Sequence, residues 1–432
     1  MIMNEYIAVM DIGTTGVRLL VAKVGTNGKP HIVARDYSVC HGIRKFKIEN
    51  SAEVTESIRK VVRRIQEKTS IIVRSAYVSI SGAHVKYVRN TDSVDIAPVY
   101  VENGDYGPGT EAGIISGNDV ATLLDKVEGT ELYDNEYLLG AVPVKFLLDG
   151  DLPSSAPIGL KASNLRVDAQ LLIAENTYVE AVRQCVEAAG LGIDGFIPLS
   201  IAVRALLTAC PDPEASTLFI DMGGFATEFC VFYKGDIYYA SALPVGGGTI
   251  TSDISQVLNI RREEAELLKC DYQIADVSLV TNDVDVAVSP LSDGKPRVVK
   301  CSDIVSIMQA RIEDIFGIIR ERLDVDDIDT SLIDRVVLSG DGIVGFTGLD
   351  IICERVFKTG LADIDFTRNT AMKAIFTYTS GMIMYIASML PYGMKRSDIE
   401  RAEQEQAPEE NKQGVFSTIK DKFKNFIGKM RD

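Results

Sequence analysis

One figure occurs twice in this chain, and few folds accommodate both copies. Near the start, the apolar run Ile7-Ala8-Val9-Met10 ends on Asp11-Ile12-Gly13-Thr14-Thr15-Gly16, and a second run, Val17-Arg18-Leu19-Leu20-Val21, follows at once. In the second half of the chain, Leu218-Phe219-Ile220 ends on Asp221-Met222-Gly223-Gly224, and the alternating Thr227–Phe232 follows. Each copy reads as a β-hairpin whose tip is an acid and bare backbone. Glycines at such a tip let amide N–H groups approach an anion closely, as a phosphate requires. A single acid-x-glycine turn is common. Two copies about half a chain apart imply an α/β fold of two related halves with a ligand held between them.

The intervening pattern agrees. Strands are expected at Tyr6–Met10, Val17–Val24 and Pro30–Val39, a helix over Ser51–Gln66, and a returning strand at Ala76–Ile80. From His84 to about Leu165 the texture changes to a compact inserted α+β subdomain. In it Gly104–Gly109 reads as a loop, Ser116 as a helix cap, and Glu136–Leu148 as a strand pair broken at Pro143. A strand over Leu165–Ala174 and a helix over Asn176–Ala189 come next. Gly195–Ala209 reads as a helical stretch interrupted by Pro198. Beyond the Asp221 hairpin, Pro244–Ile254 is a glycine turn entering a helix, a candidate anion-facing terminus. Arg261–Lys269 and Ser302–Leu323 read as helices, Asp271–Lys300 as a polar, partly stranded subdomain, and Arg335–Gly342 as a strand ending in a glycine turn. A core helix lies around Tyr378–Leu390.

Composition excludes some roles. A formal net charge of −16 over 432 residues argues against nucleic-acid binding, which needs a positive face. The seven cysteines form no C-x-x-C pair, and His31, His41 and His84 have no metal-ligand spacing, so a reduced compartment and no Cys/His metal are expected. The opening residues carry no secretory pattern, and the apolar stretch Met382–Leu390 is too short to span a bilayer.

The end of the chain differs in kind. Residues 395–413 are polar and read as a disordered linker. In 414–432, Phe416, Ile419, Phe423, Phe426 and Ile427 make one helical stripe, with Lys420 and Lys424 among five basic residues against two acids. A basic amphipathic helix on an acidic body reads as a peripheral membrane anchor. One such tail binds weakly, whereas several on one oligomer bind firmly.

Taken in order, the Asp11 turn, the Leu191–Leu207 connector, the Asp221 hairpin, the Pro244–Asp253 turn and the Ser339–Gly342 turn resemble the actin-like ATPase superfamily. Within it the chain is most similar to the FtsA family of bacterial cell division. That likeness is carried by Val78-Ser79-Ile80-Ser81-Gly82-Ala83-His84, Pro157-Ile158-Gly159, Pro244-Val245-Gly246-Gly247 before Ile250-Thr251-Ser252-Asp253-Ile254, Glu264–Lys269, and the terminal helix.

The resemblance implies core subdomain 1A at 1–83 and 166–210, inserted subdomain 1C at 84–165, core subdomain 2A at 211–251 and 329–394, and small subdomain 2B at 252–328. It implies ATP and Mg²⁺ in the cleft. Asp11 and Asp221 would face the metal, and Gly13, Thr14, Thr15, Gly223 and Gly224 the phosphates. Gly246, Gly247, Gly340 and Gly342 would approach the nucleoside, with Glu266 and Lys269 near the ribose. It also implies head-to-tail self-polymerisation on the anionic inner membrane face at the division site. Capture of the C-terminal peptide of the tubulin-like protein FtsZ by 2B and contacts with later division proteins follow from it too. Departures from the family pattern weaken the case for turnover. Phe225 and Ala226 replace glycine and threonine in the second phosphate loop, Asp341 stands where glycine is favoured, and no histidine or glutamine is evident to orient water. A PilM-like adaptor or a division paralogue with another client is the alternative, and an active sugar or acid kinase of the superfold a more distant one.

Overall fold

The structure, a computed structural model, describes residues 6–25, 27–104, 107–291, 296–362, 374–397 and 399–401. The first half is built on strands β1 (Tyr6–Ile12), β2 (Gly16–Val24), β3 (Pro30–Val39), β4 (Ser75–Ile80) and β5 (Gly192–Pro198), ordered β5-β4-β1-β2-β3. β1 to β3 form an antiparallel meander, and β4 and β5 add in parallel on the far side of β1. β1 and β2 are buried on both faces, which is why they read as continuous apolar runs. A parallel return needs a crossover. Helix Ser51–Thr69 supplies one, capped by Asn50 and packed through Val54, Ile58, Val61 and Ile65.

The second half repeats the plan. Strands β6 (Thr217–Met222), β7 (Thr227–Tyr233), β8 (Asp236–Leu243) and β9 (Arg335–Ser339) are ordered β8-β7-β6-β9, with β9 parallel to β6. Val336 makes a further parallel bridge to Leu361 outside β9, at the place β5 holds in the first sheet. Helices Gly247–Leu258, Arg262–Asp271 and Cys301–Val325 and the strand pair Asp285–Val288/Arg297–Lys300 sit on this half, sharing its core through Ile254, Ile304, Met308 and Phe316.

The inserted segment has its own core of Val94, Ile115, Val120, Leu123, Leu165 and Val167. Its helix Gly117–Glu128 opens on a capping box between Ser116 and Asp119. Glu136–Leu148 is one strand rather than two. Pro143 is tolerated because it sits at a bulge, where among the described residues only one flank of the strand is paired. The expected loop at Gly104–Gly109 is instead the end of a hairpin of Val99–Gly104 and Gly107–Glu111, with 105 and 106 outside the described residues.

Three further expectations change. Gly195–Pro198 is strand, not helix, because β4 offers it a parallel partner and Gly195 leaves room for the Tyr77 ring; the helix starts only at Leu199. Helix Thr377–Met389, expected in the second core subdomain, buries Met382, Ile383 and Ile386 in the first half's core. The start of the linker expected over 395–413 is ordered instead, and 402–413 lies outside the described residues. Ser397 is buried, and Ile399–Arg401 pairs with Ile71–Val73. The terminal amphipathic stretch 414–432, with Phe416, Ile419, Lys420, Phe423, Lys424, Phe426 and Ile427, lies outside the described residues.

Of the seven cysteines, Cys40, Cys185, Cys230, Cys301 and Cys353 are buried as small apolar groups, Cys210 is half-buried and Cys270 is exposed. No helix among the described residues is long and apolar enough to cross a membrane.

Candidate functional site

The two acid-tipped turns meet. In each half the acid ends the strand beside a parallel neighbour, and that neighbour supplies a serine. Ser79 on β4 accepts from the Ile12 amide at 2.9 Å and hydrogen-bonds the Asp11 carboxyl. Ser339 on β9 stands opposite Asp221 and hydrogen-bonds it in the same way. Strand C-termini at such a crossover are where open α/β sheets hold ligands. Between the halves lies a cavity of about 130 Å³, whose walls include Asp11, Gly13, Thr14, Thr15, Asp221, Gly223 and Gly340. Seven of the expected residues therefore converge.

The cavity is strongly acidic. Asp11, Asp221, Glu228 and Asp341 line it, and Arg18 is the one cation among its described lining residues. Burial raises the Asp11 carboxyl, against the pull of the Arg18 guanidinium. Burial, then the charge of Asp11, pushes Asp221 up to about 6. Burial pushes Glu228 up to about 7, although the Ser81 hydroxyl and Gly82 amide bind its charged form. Burial disfavours charge on Arg18 as well, but Asp11 and Asp341 outweigh it and hold the guanidinium protonated. The Tyr37 ring stacks beside Arg18, 5.4 Å from its centre, and Gly16 lacks a side chain because a Cβ there would lie 2.3 Å from that ring.

Other expected residues lie in the frame around the cavity. Gly246, Gly247 and Gly342 do not line the cavity. They pack backbone against backbone, and a Cβ on Gly247 would lie 2.5 Å from Gly342 Cα. The Gly247 and Gly248 amides donate to the Gly223 and Gly224 carbonyls at 2.9 and 2.7 Å. The helix N-terminus expected to face an anion is thus bound to the Asp221 hairpin. Gly224 packs on Thr15 across the cleft. Glu266 and Lys269 pair with each other at 2.8 Å and with the Thr251 hydroxyl, outside the cavity wall. Phe225, expected in the phosphate path, is also outside that wall. Its ring faces Gly248 and the Arg44 guanidinium, and its backbone φ is not positive.

Sequence reading missed Arg18, Ser79, Ser339 and Glu228. The signal for Arg18 was present, since a lone cation inside the apolar run Val17–Val21 must find a carboxylate when buried. Among the described residues, no trio of His, Cys, Asp or Glu is placed to hold a metal ion by itself.

Solved structures share this plan. The PilM–PilN type IV pilus biogenesis complex matches with a TM-score of 0.53 at 15% identity, covering 89% of this chain and 97% of that one. MreB5 of Spiroplasma citri, solved bound to ADP, matches with 0.51 at 11% identity, covering 89% and 97%. The fold is of the actin-like kind. In sequence, the family described as Cell division protein FtsA matches residues 218–388. FtsA of Neisseria meningitidis is 24% identical over 354 residues, 82% of each chain, and FtsA of Bacillus subtilis 25% over 358 residues, 83% of this chain and 78% of that one. In sequence the chain is thus similar to the FtsA cell-division proteins over about four-fifths of its length.

Proposed function

We propose that this protein is a membrane-tethered scaffold of cell division, which polymerises, holds FtsZ filaments at the inner membrane face and binds ATP without efficient hydrolysis. The observation that carries this reading is the meeting of two duplicated, acid-tipped turns at one cleft in a chain with FtsA similarity over four-fifths of its length. Gly13, Thr14, Thr15 and Gly223 would face phosphate. Asp11 and Asp221 are two carboxyls raised by burial, Asp221 also by the charge of Asp11, and they are donors that a divalent cation would relieve. A Mg²⁺ there would neutralise phosphate charge and would share Asp11 with Arg18.

Slow turnover fits the residues present. The described lining includes no histidine or glutamine, and Glu228 is committed to Ser81 and Gly82 at 2.7 and 2.9 Å, linking the halves rather than orienting water. A client site fits the small subdomain, where a groove exposes Val257 and Val298 beside Arg297 and Lys300. The test is anisotropy of a labelled FtsZ C-terminal peptide titrated with the full chain. Saturable binding that Val257→Asp abolishes is expected, and a flat titration would move the protein to another client, as in the pilus-type reading.

A further inference from the structure

One buried cation ties the two halves together inside the cleft. Arg18 belongs to the first half and is 6% exposed. Its Nη1 donates to Asp11 Oδ2 at 3.0 Å within that half, and its Nη2 crosses to Asp341 Oδ2 of the second half at 2.8 Å. The Thr15 hydroxyl donates to the same Asp341 oxygen at 3.0 Å. A guanidinium edge and a hydroxyl at the tip of the first acid-glycine turn thus converge on one anionic oxygen. Phosphate oxygens are gripped by the same donor chemistry. Arg18 Nε is buried and has no hydrogen-bond partner, so the guanidinium keeps a donor in reserve. The cavity of about 130 Å³ is small beside the roughly 300 Å³ at which ligand pockets begin. With this tie in place, the Asp341 carboxylate occupies the space beside Arg18 and Thr15.

We propose that Arg18 and Thr15 are a phosphate-binding pair and that Asp341 is its internal occupant. A nucleoside di- or triphosphate binds by displacing the Asp341 carboxylate from both donors, and the halves part as it does so. This rests on the reading of the cleft as a nucleotide site. The exchange replaces one anion beside Arg18 by another, so the buried cation never stands without a counter-charge. Asp341, whose side chain is 37% exposed, returns to water. Apparent affinity falls by the fraction of molecules in which Asp341 holds the donors, which makes nucleotide binding weak in the parent chain.

The experiment is a titration of a fluorescent ATP analogue, followed by anisotropy in magnesium buffer, into the full chain, Asp341→Asn, Arg18→Gln and the double variant. Asp341→Asn should bind at least about tenfold tighter, in line with relief of a competing state. Arg18→Gln should bind more weakly, and in its background Asp341→Asn should gain little. If Arg18→Gln fails to fold, Arg18→Lys replaces it, since an ammonium keeps the charge but not the two-pronged bridge. Unchanged or weaker binding by Asp341→Asn would overturn the proposal. So would an equal gain with and without Arg18, which is plain charge repulsion. Either of those leaves the nucleotide reading standing; no binding by any chain at millimolar analogue sinks both.

Discussion

Glu228 reaches from the second half to the Ser81 hydroxyl and Gly82 amide of the first, with its carboxyl raised by burial to about 7 from an ordinary 4.5. A carboxyl that holds its proton more tightly when folded makes the folded state bind more protons between those two values. Stability from this group therefore falls as pH rises through that window and is lowest above it. Asp221, raised to about 6, acts in the same direction. Replacing Glu228 by Gln should flatten the profile, so the variant gains on the parent chain between about pH 5 and about pH 8 in urea unfolding. Parallel profiles for the two proteins would show that Glu228 is not the titrating group. Nothing in the order of residues around Glu228 announced this role, because its partners lie 147 and 146 positions away.

At the level of elements, the glycine turns were legible as turns but not in their use. At Gly246, Gly247 and Gly342 the missing side chain allows one backbone to pack on another. Gly247→Ala would place a methyl 2.5 Å from Gly342 Cα, and such overpacking against main chain costs about 2 kcal/mol or more. A fall in the urea midpoint at unchanged slope checks it. Gly317 is the internal control. It lies within helix Cys301–Val325 with nothing within 4 Å of its missing Cβ, so Gly317→Ala should stabilise by about 1 kcal/mol. Strands and helices with clear periodicity lie where the pattern put them. Gly195–Pro198 and Pro143 do not, since a parallel partner in one case and a bulge in the other override local preference.

For the molecule as a whole, the chain's last described strand, Ile399–Arg401, is held against Ile71–Val73 of the first half, with Ser397 buried just before it. The described structure thus ends beside the first half, at Arg401. Removing 415–432 should leave the thermal midpoint of the body unchanged while abolishing co-sedimentation with anionic vesicles. Full pelleting of the shortened chain would refute the anchor. Pelleting should also rise steeply with protein concentration, because tails on one polymer act through effective concentration.

What the amino-acid order determined by itself is local: apolar runs of strand length, acids at their ends, and glycines that permit a tight turn. Repetition of that figure implies two halves. How the halves close on each other was decided only in three dimensions. Arg18 and Asp341 are 323 positions apart, and helix Thr377–Met389 crosses back to the first core after a long excursion through the second half. Apolar patterning states that a surface must be buried without stating against what, and a buried charge demands a partner without naming it. The tertiary fold supplied both names, and with them the tie that Arg18 draws across the cleft.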